Sequence, residues 1–143
     1  MLRPILVVED SAPDMELTLE ALKEINLANP VATARDGAEA LDYLYRRGSY
    51  AGRDEVVPLV VLLDLKMPKV DGLDVLRTVK NDPTLKSIPI VVLTSSKEER
   101  DLVESYRLGV NAYVVKPVAF ADFVRAVKET GQFWAVLNEP PPH

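Results

Sequence analysis

Short runs of apolar residues alternate along the chain with longer segments in which apolar and polar residues recur at helical spacing. Continuous apolar runs occupy residues 5–8, 59–63 and 90–93. Such runs are typical of strands that are buried on both faces of a parallel sheet. Residues 31–34 and 112–115 show the same character more weakly and are predicted to be edge strands. The hydrophobic pattern therefore predicts five strands.

The segments that follow these strands predict five helices. Three begin near residues 15, 38 and 73, and the fifth begins near residue 120. The fourth is opened by a capping-box pattern at 96–99 and runs to about 108, where Gly109 stops it. Alternating strands and helices predict an α/β protein, with a parallel sheet, helices on both faces and right-handed crossovers.

One domain accounts for almost the whole sequence. We expect it to span residues 1–137, followed by a proline-rich tail at 138–143 that cannot continue a helix. The connection at 48–58, between the second helix and the third strand, is unusually long. It could be a partner-binding loop or a tolerated insertion, and the sequence leaves both interpretations open.

Composition removes several classes of function. The net charge of −5 argues against a nucleic-acid-binding domain, which normally carries a basic surface. The absence of cysteine excludes disulfides, zinc–thiolate sites and cysteine nucleophiles, and His143 alone cannot form a histidine triad or metal cluster. There is no signal-peptide pattern and no apolar run near the ~18 residues needed to span a bilayer. We therefore expect a cytoplasmic protein without membrane contact.

Polar residues that can carry chemistry follow the predicted strands at their carboxyl ends. Glu9 and Asp10 follow the first strand, Asp64 the third, Thr94 the fourth and Lys116 the fifth. Ligands of an open doubly wound sheet bind outside these strand ends, where the strand order reverses. If the order is 2-1-3-4-5, the three carboxylates converge there. Each residue alone could be a helix cap, a turn residue or a strand terminator, but their shared edge favours a site.

The predicted cluster has the composition of a cation and phosphate site. Three carboxylates about 5 Å apart repel each other by roughly 3 kcal/mol per pair at an effective dielectric constant near 20. Mg²⁺, a hard cation that takes carboxylate, water and phosphate oxygens, fits this donor set best. Lys116 and Thr94 add a positive charge and a hydroxyl for phosphoryl oxygens. Asp64 could then form an aspartyl phosphate, whose added charge supplies a switch.

Four motifs carry a family resemblance: VED at 8–10, LDLKMP at 63–68 with DG at 71–72, LTS at 93–95, and YVVKP at 113–117. Together they resemble the receiver domains of response regulators in two-component signalling. The resemblance extends from residue 5 to about 137. It implies the flavodoxin-like, three-layer (βα)5 fold with the parallel sheet order 2-1-3-4-5.

The resemblance also implies a role for each site residue. Asp64 would accept a phosphoryl group from a sensor histidine kinase, and Thr94 and Lys116 would bind that group. Tyr113 would swing inward as Thr94 moves and so remodel the face made by the fourth helix, fifth strand and fifth helix. Such a domain catalyses only its own phosphotransfer and dephosphorylation. The implied Mg²⁺ ligands are Glu9, Asp10, Asp64 and the backbone carbonyl of Lys66.

Two further features resemble the response regulators that partner bacterial and cyanobacterial phytochromes. They are the long segment at 46–58 and the sequence GQFW at 131–134 before the proline-rich tail. The implied partners are a bacteriophytochrome kinase and a histidine phosphotransfer protein or an effector. Phe133 and Trp134 could support a homodimer through the face just described, or pack on their own domain; the sequence leaves both open.

Three alternatives are less consistent with the residues. A haloacid-dehalogenase-type phosphatase would have a second acid two residues after its nucleophile, where this chain has Lys66. A flavodoxin would need a hydroxyl- and glycine-rich phosphate loop after the first strand, but residues 9–14, EDSAPD, contain three acids, which would repel phosphate without a metal. A degenerate receiver that no longer takes phosphate is disfavoured by the intact Asp64, Thr94 and Lys116.

Overall fold

The computed structural model describes residues 2–24, 28–53, 57–67, 70–95 and 98–116, together with 121–122, 124–125 and 128–129. Strands and helices alternate in the predicted order, and the described residues between 121 and 129 are helical, within the predicted fifth helix. The strands are β1 (Ile5–Val8), β2 (Val31–Ala34), β3 (Val60–Leu63), β4 (Ile90–Thr94) and β5 (Ala112–Val115). The helices are α1 (Ala12–Glu24), α2 (Gly37–Tyr45), α3 (Gly72–Asn81) and α4 (Glu99–Arg107).

The five strands form one sheet in the order β2-β1-β3-β4-β5, and every neighbouring pair is parallel. This confirms the predicted order. The order reverses direction at β1, which lies between β2 and β3. The carboxyl ends of β1 and β3 therefore flank the crevice in which this type of sheet binds ligands.

Alternate residues of the central strands enter two apolar clusters, one on each face of the sheet. Leu6 and Leu63 pack with residues of α2 and α3 on one face. Val7 and Leu62 pack with residues of α1 on the other face, where Val124 also lies. Every residue of β1 and β3 is buried, because both faces are covered. The predicted three-layer α/β fold is confirmed.

The boundaries of α4 differ from the prediction at one end. The capping-box pattern predicts Ser96 as the N-cap, but the N-cap is Glu98 and the helix begins at Glu99; Ser96 itself lies outside the described residues. Glu98 has an extended backbone, with ψ at 126°, so it cannot lie inside the helix. At the other end Gly109 stops the helix as predicted, with φ at +97°. The amide of Val110 closes this end by donating to the carbonyl of Ser105.

The described part of the long connection after α2 packs against that helix. A 3₁₀ turn at Gly48–Tyr50 follows α2, and the Tyr50 hydroxyl donates to Glu39 Oε1 at 2.6 Å. The Arg53 guanidinium stacks on the ring of Tyr43 and donates to its carbonyl. These contacts show that the segment up to residue 53 has a fixed place on the domain.

Some predictions concern the end of the chain. The boundary at 137, the tail at 138–143 and the aromatic pair Phe133 and Trp134 all lie outside the described residues. Among the helices of the described ranges, none is both long and apolar enough to cross a bilayer.

Candidate functional site

The predicted site residues meet at the carboxyl edge of the sheet because the strands end level with each other. The last residues of β1 and β3 are partners in the ladder, so Glu9 and Asp64 follow at the same height. Thr94 is the last residue of β4 and pairs with the last residue of β5, which places Lys116 beside it. The Lys116 amide donates to the Thr94 carbonyl at 2.8 Å and fixes this end of the sheet.

The Asp64 carboxylate is buried and contacts a different group on each side. The Thr94 hydroxyl donates to Asp64 Oδ1 at 2.8 Å, and this hydrogen bond is itself buried. The Lys66 amide approaches the same oxygen at 3.4 Å. Lys116 Nζ lies 3.6 Å from the other oxygen, Oδ2. One carboxylate is therefore placed between a fixed hydroxyl and a fixed ammonium group.

Glu9 is the most buried acid of the site, with its side chain only 3% exposed. Its Oε1 accepts a hydrogen bond from Lys116 Nζ, and its Oε2 accepts one from the Ser11 amide. Lys116 also donates to Asp14 Oδ2 at 3.0 Å, and the lysine side chain is only 9% exposed. A buried ammonium with three carboxylate neighbours is a tightly ion-paired group.

The pKa shifts show that negative charge is crowded here. Burial and, after it, the neighbouring Asp64 raise the pKa of Glu9 to about 8, although Lys116 acts in the opposite direction. Burial lowers the pKa of Lys116, but the carboxylates of Glu9, Asp64 and Asp14 outweigh it and leave that pKa above its ordinary value. Lys116 therefore stays charged, yet does not neutralise the whole cluster.

The acids have the arrangement of a divalent-cation site. Glu9, Asp10 and Asp64 each offer an oxygen, and these oxygens lie within 4.8 Å of one another. Two of the side chains are buried and Asp10 is exposed, so water can reach the cluster from the Asp10 side. Converging carboxylates with access to water suit a hard cation that keeps part of its hydration shell. The donor set therefore fits the predicted metal.

The loop between β3 and α3 holds Asp64 in place by a close backbone approach. The Gly72 amide donates to the Leu65 carbonyl at 2.9 Å. A Cβ atom at position 72 would lie 2.3 Å from the Asp64 carbonyl oxygen and 2.5 Å from Leu65 Cα. Asp71 caps α3 by accepting a hydrogen bond from the Asp74 amide at 3.1 Å. Only glycine fits at position 72 without moving the backbone of Asp64.

Two predicted site residues lie beside the cluster. Lys66 follows in the loop after Asp64, and its ammonium pairs with Asp101 of α4 at 3.2 Å. Tyr113 lies on β5, half-buried, against the apolar cluster that contains α2 and α3.

Sequence reasoning missed two acids that contact the site lysines. Asp14 binds Lys116 from the first turn of α1, and a signal for it exists, since it lies one helical turn after Asp10 in a helix that starts at the site edge. Asp101 binds Lys66 from α4, and no local pattern marks it, because the contact depends on how α4 packs against a distant loop.

The chain matches a known protein family over most of its length. The family model described as "Response regulator receiver domain" matches residues 5–128. The response regulator Rcp1 of Synechocystis sp. is 41% identical over 130 residues, which cover 91% of this chain and 87% of that protein. The crystal structure of the Mn²⁺-bound form of Rcp1 has a TM-score of 0.86 and 38% identity, over 99% of both chains.

Two further solved structures are similar over nearly the full length. The bacteriophytochrome response regulator AtBRR is 62% identical, with a TM-score of 0.81 over 97% of this chain and 99% of that chain. The phosphorylated cyanobacterial phytochrome response regulator RcpA is 42% identical, with a TM-score of 0.86 over 94% of each chain. The similarity therefore covers every strand end that contributes to the site.

Proposed function

Since the chain belongs to the response regulator receiver family, we propose that it accepts a phosphoryl group on Asp64 and transmits the signal by a change of shape. It is a signalling domain and not a classical enzyme, and the phosphatase and flavodoxin alternatives are set aside by the family match. One observation carries the proposal. The buried Asp64 carboxylate lies between the Thr94 hydroxyl and the Lys116 ammonium, next to two further acids.

The proposed reaction makes one bond and breaks one. A carboxylate oxygen of Asp64 attacks the phosphorus of a phosphohistidine, and the bond from phosphorus to the histidine nitrogen breaks, with its electron pair staying on that nitrogen. Lys116 supplies a point charge to the phosphoryl oxygens, and Thr94 supplies a hydroxyl donor. The later hydrolysis of the aspartyl phosphate in the same site is part of the proposal.

A divalent cation would complete this site. We propose Mg²⁺, held by Glu9, Asp10, Asp64 and the backbone carbonyl of Lys66. When bound, it supplies positive charge that reduces the repulsion between the carboxylates and an anionic phosphoryl donor. The chain's own contribution is to hold the three carboxylates together on rigid strand ends. Lys116 alone does not neutralise the charge of these carboxylates.

The switch follows from the partners that Thr94 and Lys116 have before phosphorylation. Thr94 donates to Asp64, and Lys116 is paired with Glu9 and Asp14. A phosphoryl group adds about two negative charges, and both residues would reorient toward it. We propose that Tyr113 on β5 follows the movement of Thr94 and alters the face made by α4, β5 and the fifth helix.

The proposed partners are proteins. The similarity to AtBRR and RcpA supports a phytochrome-type histidine kinase as the phosphoryl donor. A histidine phosphotransfer protein or an effector would receive the signal. The receiver domain itself is proposed to span residues 1–137, with a tail at 138–143. The outer side of α4 exposes Leu102, Val103 and Tyr106, and this apolar surface supports a homodimer through the same face.

Intact-mass spectrometry after incubation with acetyl phosphate and Mg²⁺ tests the acceptor. We expect one added phosphoryl group in the wild type, none without a divalent cation, and none in Asp64→Asn. Asp74→Asn is the matched control, because Asp74 is an exposed aspartate on α3 whose carboxylate pairs with Arg77. A full adduct in Asp64→Asn would show that the acceptor is another residue, and loss of the adduct in Asp74→Asn would show that the assay reports misfolding.

A further inference from the structure

Helix α4 packs on the sheet through its polar side. Asp101 and Ser105 are 3% and 0% exposed, although they are polar. Leu102, Val103 and Tyr106 on the same helix are exposed. Burial of apolar surface is the main force that holds most helices in place, and this helix turns much of its apolar surface to solvent. The position of α4 therefore depends strongly on the polar contacts of its inner side.

One of these contacts leads directly to the phosphoacceptor. The buried Asp101 carboxylate pairs with Lys66 Nζ at 3.2 Å, and the Lys66 side chain is 53% exposed. The amide of the same lysine approaches Asp64 Oδ1 at 3.4 Å. Lys66 therefore bridges the two regions, since its backbone adjoins Asp64 while its side chain is bound to α4.

The geometry points to Asp101 as a positioning residue for the phosphoacceptor site, and we propose that it keeps the Lys66 ammonium on α4 until a phosphoryl group on Asp64 competes for that cation. The inference rests on the proposed function. Lysine is a flexible point charge with rotatable donors, so it can exchange one anionic partner for another. A phosphoryl group carries about two negative charges, against the single charge of Asp101.

Exchange of the cation would loosen α4. Asp101 would lose the Lys66 cation that pairs with its buried carboxylate, and breaking a buried ion pair is destabilising. The neighbouring Ser105 hydroxyl is buried and has no hydrogen-bond partner among the residues that the structure describes, so it adds no compensating contact. The ion pair thus links phosphate binding at Asp64 to the docking of α4, and this linkage acts in both directions.

Affinity for beryllofluoride, a phosphoryl analogue, tests the competition in the presence of Mg²⁺. Asp101→Asn keeps the size of the side chain and removes its charge, so Lys66 is freed and we expect the affinity to rise about fivefold. Lys66→Met keeps the backbone carbonyl and is expected to weaken binding. In the Lys66→Met background, Asp101→Asn is expected to have no effect. Glu104→Gln, which removes another ion-paired acid of α4, is the matched control.

The outcomes separate the inference from the proposed function. If the wild type binds beryllofluoride and Asp101→Asn changes the affinity equally in both backgrounds, or not at all, the competition is refuted. If the wild type binds no beryllofluoride, the proposed function fails and the competition fails with it. Should Asp101→Asn not fold, amide hydrogen exchange of unmodified Lys66→Met decides. If Lys66→Met exchanges faster than the wild type and the increase is larger in α4 than in α3, the link is supported. If the exchange rates in α4 equal those of the wild type, the link is refuted.

Discussion

Replacing Gly72 with alanine is expected to damage both stability and phosphorylation, although alanine favours helices more than glycine does. The added Cβ would lie 2.3 Å from the Asp64 carbonyl oxygen and 2.5 Å from Leu65 Cα. Both neighbours are backbone atoms, so neither can turn away as a side chain could. The β3–α3 loop must therefore move by roughly 1 Å to restore ordinary van der Waals separation.

Helix propensity and steric overlap change the stability of Gly72→Ala in opposite directions, and the destabilising overlap of the added Cβ with the backbone is the larger effect. Alanine gains at most about 1 kcal/mol of helix propensity, and less at Gly72 because this is the first residue of α3. Inserting a methyl group into a packed site costs typically about 1–3 kcal/mol. We expect a net loss of about 1–2 kcal/mol, which would lower the melting temperature by roughly 3–8 °C in a domain of this size.

The effect on chemistry follows from the displaced acceptor. A shift of about 1 Å at a reacting group can reduce a rate roughly 100-fold, so phosphorylation by acetyl phosphate should slow by about that factor. Thermal unfolding and the time course of intact mass measure the two effects. Gly52→Ala is the control, because a Cβ at Gly52 contacts nothing within 4 Å. If Gly72→Ala matches this control in melting temperature and rate, the argument from close approach is wrong.

Three other changes have defined outcomes. Asp36→Ala removes the side chain that accepts from the Glu39 amide at 2.7 Å and caps α2, so urea unfolding should show a loss of about 1 kcal/mol; an unchanged midpoint would contradict the cap. Burial, and to a smaller extent the hydrogen bond that the hydroxyl donates to Glu39, raises the pKa of Tyr50 from 10.0 to about 12. The protonated hydroxyl therefore adds stability to the folded state, and this contribution is complete below pH 10 and is lost as the pH rises toward 12. Wild-type stability should therefore fall more steeply across this range than that of Tyr50→Phe, and equal slopes would refute the shift. Lys116→Met removes the cation that neutralises Glu9, so Mg²⁺ should bind roughly tenfold more tightly by calorimetry, whereas weaker binding would show that Lys116 helps to form the metal site.

The sequence predicts the fold well because its signals are local. The apolar run at 5–8 coincides with β1, since a buried strand needs only a short apolar segment, and the weaker pattern at 31–34 coincides with the edge strand β2. The shared edge of Glu9 and Asp64 also follows from simple topology, because parallel strands present their carboxyl ends on one side.

The parts that the sequence does not predict depend on tertiary packing. The capping pattern predicts Ser96 as the N-cap of α4, but Glu98 has an extended backbone and is the N-cap, so the helix begins at Glu99. The pairing of Lys66 with Asp101 joins a loop to a helix that is distant in sequence, and no periodicity marks it. The contact of Tyr50 with Glu39 likewise depends on how the connection folds back onto α2.

The central claim is that Asp64 is the phosphoacceptor, and locating the phosphoryl group tests it most directly. The wild-type protein would be phosphorylated with acetyl phosphate and Mg²⁺, digested under acidic conditions and fragmented by tandem mass spectrometry. We predict that the added phosphoryl mass lies on Asp64 and is absent when the divalent cation is removed. A phosphoryl group on Glu9, Asp10 or any other carboxylate would contradict the account of the site.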